Sequence, residues 1–179
     1  MWAADGRESF AMSLRAAFPV AVLLIFTALG GSFAQPSGCS LVDGPHNPSE
    51  KILRCGDDLA VRPARGTRYK LTTPEGQSLP TGAELDSGAL MIEGRKPFQI
   101  LTPHAIAAVR GTKWAVEVKA KQSSTFVVSG SVEVRRRAGK RTVELTAGEG
   151  VDVSGGRGPL EVKRWKKKRV KALLARFGE

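Results

Sequence analysis

Residues 100–118 read ILTPHAIAAVRGTKWAVEV, and the fold follows from how this stretch is divided. Ile106 to Val109 is a short apolar run. Arg110-Gly111-Thr112 interrupts it, and Trp114, Val116 and Val118 then alternate with Lys113, Ala115, Glu117 and Lys119. A period of two on either side of a glycine describes strand, bend, strand. Gly111 has no Cβ, so the backbone can turn there or approach a neighbour closely.

The same rhythm extends outward in both directions. Leu59 to Val61 precedes Pro63, Thr67 to Thr72 sets Tyr69 and Leu71 against Arg68 and Lys70, and Pro74-Glu75-Gly76 supplies a turn. Leu85 to Glu93 puts Leu90 and Ile92 on one face, Gly94 to Pro97 is expected to end that strand, and Phe98 to Thr102 begins another. Beyond the opening stretch come Thr125 to Val128, a corner at Ser129-Gly130, Val132 and Val134, a turn at Ala138 to Lys140, Val143 and Leu145, a turn at Ala147 to Gly150, and Val151 with Val153. Short strands spaced about 8 to 12 residues apart predict an all-β fold, as a sandwich, a barrel or a solenoid-like twisted stack.

The two ends of the chain read differently from this middle. Arg15, the apolar run Phe18 to Leu29 and the small residues around Ser32-Phe33-Ala34 form an export signal, with Met12 as the expected start and cleavage expected after Ala34. Retention as an N-terminal inner-membrane anchor is the alternative, and it is the weaker one because the apolar run is short for a span. Residues 35–56 are rich in proline, glycine and serine, and the only cysteines, Cys39 and Cys55, lie within them. An even pair in an exported chain predicts a disulfide, which would close a loop of about 17 residues and stabilise the fold by roughly 3 kcal/mol. Residues 57–153 would then be the β domain and 154–161 a glycine-rich linker. Residues 162–179 would be an amphipathic α-helix, with Val170, Leu173, Leu174 and Phe177 on one stripe.

Lysine and arginine total 28 against 17 acids, a net charge of +11. Such a surface attracts anionic partners without selecting among them. Lys163, Arg164, Lys166, Lys167, Lys168, Arg169, Lys171 and Arg176 are the candidate contacts to an anionic membrane or polymer, although packing of the helix on the β domain is the preferred reading of its apolar stripe. Nucleic acid is not expected, because aromatic residues for base stacking are sparse and an exported chain seldom meets it.

The residues carry little catalytic chemistry. His46 sits in a proline-rich loop, and His104 has Arg110 and Lys113 as its nearest charged neighbours in sequence and no evident carboxylate, which is wrong for a general base. Asp57-Asp58 reads as a solvated turn, since adjacent side chains on a strand face opposite ways. Gly148-Glu149-Gly150 lacks the helix and lysine of a phosphate-cradling loop. No catalytic residue, metal site or cofactor is expected.

Thr102-Pro103, the apolar run and then Val109-Arg110-Gly111-Thr112-Lys113-Trp114-Ala115-Val116 resemble the "TP…avrGTxFxV" segment of the FecR domain. Val127 to Val134 is similar to that family's "v.v.eG.v.v" strand pair, and Leu145 to Val151 to its "l.aGeg" turn. The resemblance covers residues 59–153. It implies an all-β, periplasmic, non-catalytic module for signal sensing or for binding an envelope protein or ligand. Family regulators pass signals from an outer-membrane transporter to a sigma factor. This sequence departs from them in showing no sigma-binding helical region ahead of its signal segment and too few residues after Val153 for a second periplasmic domain, so direct sigma-factor regulation is the least favoured reading. A structural envelope protein that binds cell-wall polymer through its charge is the alternative. Arg110, Gly111, Thr112 and Trp114 are expected to be architectural first, with Arg110 holding carbonyls or a carboxylate such as Glu84 or Glu117, and Thr112 bonding the turn backbone.

Overall fold

Two long strands run through the middle of the computed structural model, which describes residues 38–44 and 50–179. β5 spans Gly82–Leu101 and β6 spans Ala105–Lys119, and they pair antiparallel along most of their lengths. The register slips between Gly94 and Pro97, opposite Arg110 to Thr112. Gly94 to Pro97 therefore does not end a strand as expected. Proline, which cannot donate to the ladder, is accommodated at this irregularity while β5 continues to Leu101.

The corner in β6 is also where it changes partners. Its first half, Ala105 to Val109, pairs with β8 (Ser131–Arg136), and its second half, Lys113 to Lys119, pairs with β7 (Gln122–Ser129). The remaining strands extend these pairings. β1 (Cys39–Asp43), β2 (Lys51–Cys55) and β3 (Leu59–Pro63) form a meander onto the middle of β5. β10 (Glu149–Ser154) and β11 (Val162–Arg164) continue from β7. β4 (Arg68–Thr72) pairs with the start of β5, and β9 (Thr142–Thr146) pairs with β8. The result is one open antiparallel sheet, twisted and folded over into two wings.

The core lies between the wings. Leu90 and Ile92 of β5, Trp114 and Val116 of β6, and Val127, Val151 and Val153 come from one wing; Leu85, Phe98, Ile100, Ala107, Val134 and Leu145 come from the other, all in a single buried cluster. Trp114 is the largest of them and wholly buried. Removing a ring of this size from a packed core costs about 3–5 kcal/mol.

The outer face of the first wing carries a second, smaller cluster under the C-terminal segment. Ala89, Met91, Ala115 and Phe126 lie on it, and Leu173 and Phe177 pack down onto them. The helix, α1, is shorter than expected: it runs Lys167–Leu174 and ends in a 3₁₀ turn, Ala175–Phe177. Val162 to Arg164, placed in the helix on periodicity, is instead β11, because pairing with β10 satisfies its backbone. The expected disulfide is present and joins Cys39 to Cys55, which face each other across β1 and β2. The segment it ties is thus two strands of the sheet rather than an irregular preface. The export signal, its cleavage point and His46 lie outside the described residues.

Mutating Cys39 and Cys55 to serine should lower unfolding free energy by roughly 3 kcal/mol in urea titrations, and dithiothreitol should do the same to the parent protein. Leu173→Ala, in the second cluster, should cost about 2–4 kcal/mol.

Candidate functional site

Three features of the backbone meet at the β6 corner. Gly111 has φ +76°, a left-handed conformation that side chains rarely adopt, and a Cβ there would meet nothing within 4 Å, so the requirement is conformational rather than steric. Gly130, at the β7–β8 turn, has φ +81°, and its backbone comes so close that an added Cβ would lie 2.7 Å from Thr112 Oγ1 and 2.9 Å from the Gly111 carbonyl oxygen. Thr112 Oγ1 donates to the Ser131 carbonyl at 3.0 Å. The hydroxyl therefore reaches the neighbouring strand rather than its own turn, and locks β6 to the corner between β7 and β8. Trp114 drives the far side into the core, although its indole N–H finds no acceptor among the described residues. The role expected for the Arg110 side chain lies outside the described residues. Glu117, one of its expected partners, is taken by Arg176 and by Lys119 at 2.9 Å.

This corner opens onto a groove of about 630 Å³. Gly111, Thr112 and Lys113 form one side; Arg54 of β2 and the Asp57-Asp58 turn form another; Arg62, Glu93 and Arg95 lie between. Arg95 donates its backbone N–H to the Asp58 carbonyl at 3.0 Å, which holds the turn against β5. Acids and bases are both present on the walls, which suits a peptide segment bearing both signs more than a ligand of one sign. Among the described residues no group of three or more histidine, cysteine or carboxylate side chains is placed to hold a metal ion. His104 lies elsewhere, with Nδ1 3.1 Å from Ser123 Oγ.

Two cations on the groove lining, Arg62 and Lys113, are held by the C-terminal residues. Arg62, 8% exposed, donates Nη2 to the Phe177 carbonyl at 2.6 Å and Nη1 to Glu179 Oε1 at 2.5 Å. Lys113 reaches the same oxygen at 2.7 Å. Burial alone would raise the Glu179 carboxyl, but the two cations outweigh it and hold the group below its ordinary value of 4.5. Sequence alternation alone places Arg62 in solvent, opposite Val61, because the period of strand β3 carries no trace of a tail folding back over it.

The cations proposed for anionic contact divide into two sets. Arg169 stacks 3.4 Å over the Trp165 ring, and Trp165 in turn stacks on Phe126 at 5.1 Å. Arg169 also pairs with Asp152 at 2.5 Å, and Arg176 pairs with Glu117. Lys163 pairs with Glu161 at 2.5 Å, both exposed. Lys166, Lys167, Lys168 and Lys171 are exposed, as is Arg164, and none of the five forms an ion pair among the described residues. The C-terminal segment thus lies on the sheet through its apolar stripe and the ion pairs of Arg169, Arg176 and Glu179, with Lys166, Lys167, Lys168 and Lys171 exposed.

Residues 49–133 match the family model described as FecR protein. This chain carries a FecR domain. The matched span runs from just before β2 into β8 and contains the corner and the groove walls, whereas β9 to α1 lie beyond it. Two crystal structures of a candidate anti-sigma factor from Parabacteroides distasonis are similar in fold, each with a TM-score of 0.52, at 19% and 20% identity. The likeness covers 79% of this chain and 62% of that one, so the chain spans less than two-thirds of its length. Comparison with curated protein sequences gave no match.

Burial would raise Asp152 as well, but hydrogen bonds from Arg169 and Ser124 hold it below its ordinary value of 3.8. Both carboxyls therefore stabilise the folded state fully above their ordinary values, and that contribution is lost as pH falls through the depressed ones. Urea midpoints measured from pH 7 down to pH 3 should fall in acid, and Asp152→Asn should flatten part of that dependence. At the corner, Gly130→Ala should destabilise by about 1–3 kcal/mol in the same assay.

Proposed function

We propose that this is an exported, non-catalytic FecR-domain protein that senses or relays a signal in the cell envelope by binding a protein partner in the groove at the Gly111 corner. The observation that carries this reading is that the family span coincides with the groove: Gly111, Thr112 and Lys113 line it, together with walls drawn from β2, β3 and β5. A mixed-charge cleft of this size selects partners by charge register, since like-charge juxtaposition excludes wrong ones. The periplasm is the proposed location, with residues 12–34 as the cleaved signal.

A second reading, attachment to anionic cell-wall polymer or membrane, is favoured by one observation: Lys166, Lys167, Lys168 and Lys171 point away from the β domain without carboxylate partners. Regulation of a sigma factor in iron-transport signalling is a third and weaker reading, supported only by the domain's family.

Photo-crosslinkers placed at Ala60 and Ser129 on the groove lining should trap one protein in the native envelope, and Arg54→Glu with Arg95→Glu should abolish that capture without changing the melting temperature. Capture that survives both charge reversals would remove the groove from the proposal. Steep loss of envelope binding with rising salt, undone by replacing the four outward lysines, would favour the second reading. The N-terminus of protein recovered from the periplasm should be Gln35.

A further inference from the structure

Away from the Gly111 corner, between β8 of one wing and the chain leaving β10 of the other, two adjoining grooves share a wall and are lined by no carboxylate among the described residues. The first, about 590 Å³, is lined by His104, Arg136, Arg137 and Arg157 with Gly155 and Gly156. The second, about 410 Å³, adds Lys140 and Arg141 to Arg136 and Arg157. Both lie between the β8–β9 turn and the loop that follows β10, and apart from Pro103 and His104 their lining residues fall outside the span matched by the family model.

Arg136 is the brace that makes this a cleft rather than two loose loops. It donates Nη1 to the Ser154 carbonyl at 2.6 Å, and Nε and Nη2 to the Gly158 carbonyl at 3.1 and 2.9 Å. Three of its five N–H donors hold the walls together. Arg137 commits Nη1 to the Thr102 carbonyl at 3.1 Å, which fixes its guanidinium while leaving its other nitrogens for a ligand. Arg157, Lys140 and Arg141 are exposed and, like Arg137, form no ion pair among the described residues. The backbone N–H groups of Gly155 and Gly156 form no backbone hydrogen bond there, and the space a Cβ would take at either is open.

We propose that this double groove binds the phosphates of a chain or headgroup that carries about one negative charge per phosphate. Four uncommitted cations on two facing loops exceed what a single carboxylate neutralises, but they match a chain carrying one charge per repeat. Guanidinium forks and open glycine N–H groups are the donors that tetrahedral oxyanions take. On the helix, by contrast, Arg169 and Arg176 are already neutralised by Asp152 and Glu117, and the unpaired cations are lysines, which lack the guanidinium fork. The two adjoining concavities suit an inserted chain or headgroup better than the plane of a bilayer.

The test uses the full chain and linear polyphosphate as probe, with binding followed by calorimetry over a range of salt. Arg137→Ser with Arg157→Ser should weaken binding by about 10-fold or more and lower the salt slope, because two phosphate contacts are removed. Lys167→Ser with Lys168→Ser on the helix should change it by less than about 3-fold. Phosphatidylglycerol vesicles separate the sources: parallel loss of vesicle binding assigns a lipid headgroup, and loss confined to polyphosphate assigns a soluble polymer. If the first pair of substitutions lowers the melting temperature, Lys140→Ser with Arg141→Ser, two exposed residues with no protein hydrogen bond, takes its place. Undiminished polyphosphate binding by a stably folded variant would overturn the proposal, as would an equal loss from the helix variant or tighter binding of polyglutamate than of polyphosphate.

Discussion

The pairing of β5 with β6 is the constraint on which the other strands depend. Each is long enough to belong to both wings, and each wing is built by adding shorter strands to one part of this pair. A β-sheet folded onto itself has to break its ladder somewhere, and a register slip is the least costly way of doing so without leaving many backbone groups unpaired. Here the slip falls at Gly94 to Pro97 on one strand and Arg110 to Thr112 on the other. The two irregular segments lie opposite each other, so the sheet turns at one line. Thr112 then fixes the turn by bonding the Ser131 carbonyl, and Gly130 permits the approach.

The outer face of the first wing shows how the rest of the chain is accommodated. Side chains there alternate between the two faces: Leu90 and Ile92 face the core, Ala89 and Met91 face the helix, and Ala115 lies between Trp114 and Val116. Gly150 sits directly under the Trp165 indole, which a Cβ would reach within 2.5 Å of Nε1. The helix therefore rests on a surface whose low relief was made for it. Asp152, Glu117 and the Arg62–Lys113 pair mark its position at three points along the face. The two grooves at the β8–β9 turn, by contrast, are lined by cations and by no carboxylate, and the charge asymmetry of the sequence becomes a spatial one.

Most of the strands were legible because each shows a period of two between turn residues, and the β6 corner was legible because arginine, glycine and threonine interrupt that period. The continuity of β5 was not, since proline in a strand argues for a break unless a register slip accommodates it, and the slip depends on the partner strand. β1 and β2 were obscured by the proline-rich composition around them, although Cys39 and Cys55 pointed to a tie that proved to join two strands. The helix was legible from Val170 onward, whereas Val162 to Arg164 is a strand only because β10 is there to pair with it. At the candidate site, Gly111 and Thr112 could be singled out in sequence. Arg62, Glu93 and Arg95 could not, because they meet only when three strands are laid side by side.

The corner also changes which residues count as inward. Before it, Ala105 and Ala107 face the core; after it, Trp114, Val116 and Val118 do. The odd positions of β6 are thus interior on one side of Gly111, and the even positions on the other. A bend alone could keep one parity throughout, but this one shifts the side-chain phase of the strand by a residue. The Arg110-Gly111-Thr112 segment therefore sets a reading frame for burial: a single residue added or lost there would leave both halves of β6 unchanged in composition while turning one half inside out.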